Sequence, residues 1–596
     1  MDGSSMSQKF ENLLNLALET PEQTREKTDN LNVGFESVEN TWEVIIKYHG
    51  DLSFLSEYGI GAEELIAGYA ILIVPARQME QLALFEQIEY VEKPKRYYFG
   101  AELPGENACV YPVTLGESAL TGLDNIIAVI DSGIDYRRKE FQRADGSTRI
   151  LYLWDQTLTA QGEQQPPEGF GIGVEFTAEQ INQALAENAS AGFLLVPSRD
   201  VSGHGTAVAG IAAASPVNTE EGGIYQGIAP ESDLLVVKLG TPREGGFPKT
   251  TEIMRAVTYA VRKGTELGKP VAVNLSFGNT YGSHDGSSLV ERFLDNASEI
   301  GRTVICVGAG NEGDSSGHYA GFADTTQVVE ISVGEYERSL SIQLWKQYSD
   351  DFRISLRAPD NTQVILTNPV NARKQEYTIA QTAVLVYQGE PKPYSVLQEI
   401  YFDLIPFGER NYINSGVWQL ELAPIKVVTG KYDLYLPASE ARSSRTGFLR
   451  STPEMTLTIP STGSKIVTVG AYDTSYEQYA SFSGRGLAQV SRENSITIAG
   501  LIKPDIVAPG VNIIAPDVLG GYRTVTGTSF ATPIVSGSAA LLMEWGIVQG
   551  NDRYLYGEKV KAYLRAGAQP LRGENVYPNE RVGFGKLCVA ESIPRG

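Results

Sequence analysis

Ser529 stands in Gly527-Thr528-Ser529-Phe530-Ala531-Thr532-Pro533, just ahead of an apolar run from Ile534 to Met543 that reads as a buried helix. A serine at the start of a helix suits nucleophilic attack, because unpaired N–H groups and the positive end of the helix dipole favour a developing negative charge. A serine hydroxyl alone is a weak nucleophile, so the chemistry requires a base and an acid that orients it. The chain has four histidines, His49, His204, His284 and His318. Only His204 lies in a small-residue setting that opens a helix, Ser202-Gly203-His204-Gly205-Thr206 and onward to Ala213. An imidazole titrates near neutrality, so His204 can take the serine proton and return it to a leaving group; a helix-capping histidine is the alternative. Asp131 ends the apolar run Ile126-Ile127-Ala128-Val129-Ile130 and is the candidate acid, holding the imidazole in one tautomer. A strand-end Asp-Ser-Gly is otherwise a plain turn, and Asp135, past the glycine, competes for the role. Asn311 closes a fourth segment, Val304 to Gly310. Its amide, with the Ser529 N–H, can hold an oxyanion; its alternative role is a turn residue.

These residues need a scaffold that delivers them to one place. The runs ending in Asp131 and Asn311 read as central parallel strands, and sites in open α/β sheets lie at the carboxyl ends of such strands. At 596 residues the chain is expected to hold two to four domains. Residues 1–100 carry strands at Trp42–Tyr48, Tyr69–Val74 and Ile88–Glu92 with helical periodicity at Arg77–Phe85, a βαβ-type module of α+β character. Lys9 to Glu26 reads as an amphipathic helix. The interval between Asp131 and His204 is long enough for an insertion holding Leu151–Gln156, a helix near 177–188 and a Gln/Pro/Gly-rich surface loop at 161–174. Between Asn311 and Ser529, residues 326–458 alternate apolar and polar in seven short runs separated by turn residues, the pattern of an antiparallel β-sandwich.

In the order Asp, His, Asn, Ser, these segments resemble the subtilisin-like serine proteases, the subtilases. The resemblance extends to Gly227-Ile228-Ala229-Pro230, Val273 to Gly278, Lys503 to Gly510 and Val582 to Leu587. It implies an α/β fold, a parallel sheet flanked by helices, with catalytic parts at 101–325 and 459–596. It implies a serine endopeptidase with Asp131, His204 and Ser529 as triad and Asn311 as oxyanion donor. Ser276, Phe277 and Gly278 with Gly308, Ala309 and Gly310 would border the pocket for the residue before the scissile bond. That border carries no charge, and its far wall cannot be placed from sequence. Residues 1–100 look like a subtilase prodomain whose tail inhibits the site, with self-cleavage in the region Tyr97, Tyr98, Phe99, Gly100. The missing export signal, a Tyr-Leu-Trp-Asp-Gln segment and a jelly-roll-like insert resemble the Csp germination proteases of clostridial spores. Those enzymes activate a proenzyme by limited proteolysis. A protease fold locked by its prodomain and used as a binding scaffold is the alternative.

Net charge is −23, from 49 basic and 72 acidic residues, which argues against nucleic acid and anionic membranes as partners. Protein or peptide substrates and the chain's own prodomain are the expected partners. Three cysteines, Cys109, Cys306 and Cys588, do not make a disulfide framework, and no Cys/His spacing suggests zinc. No cofactor is expected. Calcium is common in subtilases, but no ligands can be assigned, and Asp155, Glu312 and Asp314 read as solvated loop charges. His284 and His318 read as loop histidines. The first 26 residues show no signal-peptide pattern, so a cytoplasmic or spore-associated location is expected.

Overall fold

The computed structural model describes residues 9–594 except 11–13, 15–16, 19–21, 23–33, 38, 65–68, 93–107, 115–118, 217–224, 241–247, 249, 367–373, 389–390, 392–394 and 487–501. The expected self-cleavage region, Tyr97 to Gly100, and most of the Lys9–Glu26 helix lie outside the described residues. The chain divides into two units, Met1–Phe99 and Gly100–Gly596.

The first unit is a five-stranded antiparallel sheet. Thr41–Tyr48 is its centre, and alternation puts Trp42, Val44, Ile46 and Tyr48 in the core. Tyr69–Pro75 and Ile88–Glu92 both pair with that strand, antiparallel to it. They therefore run parallel to each other, joined through a short helical stretch, Ala76–Leu82, which is the expected βαβ pattern split by a central strand.

The second unit is built on a nine-stranded sheet. Its parallel core places Thr303–Gly308, Val271–Leu275, Ile126–Asp131 and Asp233–Lys238 side by side. The Ile126–Asp131 strand is buried throughout because both faces are covered. Ile127 and Val129 pack with the His204–Ala213 and Thr528–Met543 helices. Ile126, Ala128 and Ile130 pack on the other side with Thr250–Leu267 and Leu289–Ala297. The expected parallel sheet flanked by helices forms this core, and antiparallel strands are added at both ends. Val174–Thr177 and Gln478–Tyr479 pair antiparallel, making the sheet mixed. The Leu151–Gln156 segment, expected in an insertion between Asp131 and His204, is a strand of this sheet, Ile150–Asp155, parallel to Asp233–Lys238. The helix that follows, Ala178–Ala186, starts on a Thr177 and Gln180 capping box.

Between the Asn311 strand and the return strand Val467–Asp473, eleven strands among the described residues form two antiparallel sheets of six and five. They share one core, with Ile331, Leu344, Phe402, Trp418 and Leu420 buried in it. The first of these strands, His318–Phe322, pairs with Lys431–Tyr435, so the boundary expected at 326 falls after it. Its residues, His-Tyr-Ala-Gly-Phe, show no apolar alternation to mark it.

Cys109 and Cys588 are joined in a disulfide, and only Cys306 is free. Backbone bonds Val589 N–H to Ala108 O and Ala590 N–H to Cys109 O surround the link. The bridge closes a loop spanning 479 positions, which constrains the unfolded chain strongly. Cys588→Ser is expected to cost about 2–4 kcal/mol of stability. Thermal denaturation checks it: reductant should lower the wild-type midpoint toward the variant's and leave the variant unmoved.

Candidate active site

The carboxyl ends of the core strands meet the starts of two helices, and there Asp131, His204, Ser529 and Asn311 come together around one cleft of about 340 Å³. Asp131 Oδ1 lies 2.7 Å from His204 Nδ1. The carboxylate is 3 % exposed and the imidazole 32 %, so the acid is sealed in while the base faces the cleft. Asp131 Oδ1 also accepts the Ser132 N–H at 2.7 Å. Because Nδ1 is committed to Asp131, Nε2 is the nitrogen left for proton transfer. Burial pulls the His204 pKa down, but the charge and hydrogen bond of Asp131, helped by Asp200, outweigh it, and the net shift is upward. Phe530, the residue after Ser529, packs against the imidazole with ring centres 5.1 Å apart.

Asp200 is a partner the sequence reading missed. It is buried, and its Oδ1 accepts the Gly203 N–H at 2.9 Å and the Ser132 hydroxyl at 2.8 Å. Its Oδ2 accepts both the N–H and the hydroxyl of Thr206 at 2.8 Å. An acid four residues ahead of a helix-opening histidine was the available signal, since carboxylates near helix starts bind the unpaired N–H groups there. Gly205 permits the close approach, because a β-carbon on it would overlap the Gly133 carbonyl.

Ser529 occupies the first turn of the Thr528–Met543 helix. Its hydroxyl donates to the Ser276 carbonyl at 2.8 Å rather than to His204. In return the Ser276 hydroxyl donates to the Ser529 carbonyl at 2.9 Å and accepts from Asn274 Nδ2 at 2.8 Å. Asn311 is oriented by its own oxygen, which accepts the Thr528 N–H at 3.0 Å and the Thr528 hydroxyl at 3.1 Å. That leaves its Nδ2–H groups as the available donors beside Ser529.

Ser276, Phe277, Gly278, Gly308 and Gly310 line the cleft as expected from the sequence. Ala309 does not. It is fully buried, with its N–H donated to Val469 O at 2.8 Å and its carbonyl accepting the Thr458 N–H at 3.0 Å. The strand alternates, so the residue between two glycines on the cleft faces inward. Thr458, Ala438 and Glu440 also line the cleft, Thr458 lying against Gly278 and Gly310. Gly310 has φ 87, and a β-carbon there would overlap the Thr458 side chain.

Several expected loop charges are structural. Asp155 is buried, accepts the Ser198 hydroxyl at 2.7 Å and lies 3.5 Å from Lys238 Nζ. Glu312 is buried and accepts the Ser439 N–H and hydroxyl at 2.9 and 2.8 Å. Asp314 is exposed and accepts the Ser481 hydroxyl. His284 stands in a connecting segment, as expected, and His318 opens a strand; both are buried, stacked on Tyr435 with ring centres 3.9 and 4.6 Å apart. Burial holds His284 down to about 4, so it is neutral near pH 7.

A serine, an imidazole and a carboxylate at the carboxyl ends of a helix-flanked α/β sheet define a hydrolase of the acyl-transfer class. The subtilase family model matches residues 122–391 and 449–585, and the Csp protease B prodomain model matches residues 8–95. The chain belongs to the subtilase family of subtilisin-like serine endopeptidases, here with a CspB prodomain. The solved structure of the Clostridium perfringens CspB protease matches it with a TM-score of 0.72 at 33% identity, covering 82% of this chain and 96% of that one. The minor extracellular protease Vpr of Bacillus subtilis is 24% identical over 501 residues, 79% of this chain and 52% of that protein. The subtilisin-like protease SBT3.3 of Arabidopsis thaliana is 27% identical over 468 residues, 70% of this chain and 55% of that protein. The chain spans about half the length of these curated relatives.

Two outcomes follow from the geometry. A protonated His204 cannot accept a proton, so activity falls as pH drops through its pKa. The upward shift puts that acid limb above the ordinary histidine value of 6.5. Asp131→Asn removes the main raising influence, so the residual activity should show a limb at lower pH, with kcat reduced roughly 10⁴-fold; pH profiles of kcat/KM measure both. Asn311→Ala should lower kcat by roughly 10²–10³-fold with little change in KM, measured by steady-state kinetics.

Proposed function

We propose that this chain hydrolyses peptide bonds in protein substrates through an acyl-enzyme on Ser529, and that it is made as a self-cleaving proenzyme. The observation that carries the reading is the 2.7 Å Asp131–His204 contact in the same cleft as Ser529. In the reaction, Ser529 Oγ attacks the substrate carbonyl carbon while His204 Nε2 takes its proton. Asp131 stabilises the imidazolium. The Asn311 amide and the Ser529 N–H hold the oxyanion. The imidazolium then protonates the leaving amine, the C–N bond breaks, and His204 activates water to release the acid.

The prodomain match supports inhibition by residues 1–100 until cleavage in the Tyr97–Gly100 region. An extended tail can add to substrate-binding strands by backbone pairing, which is a product-like mode of inhibition. The likeness to the CspB protease supports activation of another proenzyme by limited proteolysis as the physiological task, in a cytoplasmic or spore-associated setting.

Wild-type protein is expected to yield a new N-terminus between 97 and 101, while Ser529→Ala stays full length. N-terminal sequencing and intact mass read this. A fluorophosphonate probe should label wild type on Ser529. A processed protein that takes no label would leave only the scaffold reading.

A further inference from the structure

The cleft wall supplied by the two-sheet insert carries a charge. Ala438 and Glu440 follow the Lys431–Tyr435 strand and line the same cleft as Ser529, Phe277, Gly278, Gly308 and Gly310. Ser439, between them, gives its N–H and hydroxyl to Glu312, the residue after Asn311. This pins the segment beside the oxyanion donor. Three carboxylates line the cleft: Asp131, Glu312 and Glu440. Asp131 is committed to His204, and Glu312 to Ser439 with Arg442 Nη2 at 3.9 Å. Glu440 is exposed, and among the described residues it makes no hydrogen bond or ion pair. Among the described carboxylates of the cleft it is the exposed one, acting on Arg442 through charge alone and open to an incoming ligand.

We infer that Glu440 is a specificity-determining residue that favours peptide substrates with Lys or Arg on the amino-terminal side of the scissile bond. The inference rests on the protease reading above. A lysine or arginine stem packs along apolar surface while its head stays in water, and Phe277 and Ala438 offer that surface in the cleft. The Glu440 carboxylate then meets the head at the rim, where complementary charge selects partners and speeds encounter. The chain's own tail has matching chemistry. Lys93, Lys95 and Arg96 directly precede the expected self-cleavage region, in a chain of net charge −23.

The test uses the self-processed full chain and peptides that differ only in Lys, Leu or Glu at each of the four positions before the scissile bond. Wild type should favour Lys over Leu at one or more positions by about threefold to fivefold in kcat/KM at low salt, and by less at high salt. E440Q should abolish that ratio, and E440K should turn it toward Glu. E409Q, which removes an exposed charge elsewhere on the insert, should keep the wild-type ratio. A Lys:Leu ratio near one in wild type, or one that E440Q does not change, overturns the inference while leaving peptide hydrolysis intact. No hydrolysis of any peptide, with Ser529 unlabelled, overturns the protease reading and this inference with it.

Discussion

The contact between Asp131 and His204 depends on a second carboxylate, Asp200, that hydrogen-bonds neither side chain. Asp200 is buried, and a buried charge is tolerable only when fully hydrogen-bonded. It meets that requirement by binding the first turn of the histidine helix through Gly203 and Thr206, and the Asp131 strand end through the Ser132 hydroxyl. Ser132 completes the link by accepting the Gly205 N–H at 2.9 Å. Helix start and strand end are thereby one hydrogen-bonded unit, and the imidazole inherits its position from it. The same carboxylate contributes to the raised basicity of His204, so geometry and proton affinity are set by one group.

The sheet explains how a large insert can interrupt the site without dispersing it. The chain leaves the core after Thr303–Gly308 and returns at Val467–Asp473, and these strands are parallel neighbours, with Cys306 opposite Val467. Their ends are close, so the insert closes a short gap in space whatever its length, and closure entropy grows only slowly with length. The insert is also tied back to the site. Ser439 bonds Glu312 and Thr280 Oγ1 donates to Leu436 O at 2.8 Å, so the cleft wall on that side is tied to the two-sheet insert.

What could be read from sequence follows from distance along the chain. Asp131, His204, Asn311 and Ser529 each sit in a local pattern, an apolar run or small-residue turn that announces a strand end or helix start. The fully buried Ile126–Asp131 run and the alternation of Trp42 to Tyr48 are likewise local signals. The misses are residues whose role is set by partners far away. His284 and His318 are buried against Tyr435, from the far end of the insert, and against the Leu457 and Thr452 carbonyls. Cys109 meets Cys588 only when the two ends of the catalytic unit are brought together. Ala309 has the right neighbours in sequence and the wrong side of the strand. Thr458 and Glu440 reach the cleft from the end of an insert whose sequence pattern speaks only of its own core.

The hydrogen bond of Ser529 bears on how ready this site is. Its hydroxyl rests on the Ser276 carbonyl, and Ser276 is itself fixed by Asn274 and the Ser529 carbonyl. To be deprotonated, the Ser529 hydroxyl must give up that carbonyl and donate to His204 instead. The move exchanges one neutral hydrogen bond for another, and such bonds differ by only about 1 kcal/mol. Catalytic hydrogen bonds commonly tighten only when substrate is present, so the resting geometry fits a base role for His204. The Asn311 amide is held by Thr528 and the Ser529 N–H by the helix start, so the groups that would hold an oxyanion are fixed before the hydroxyl changes partner.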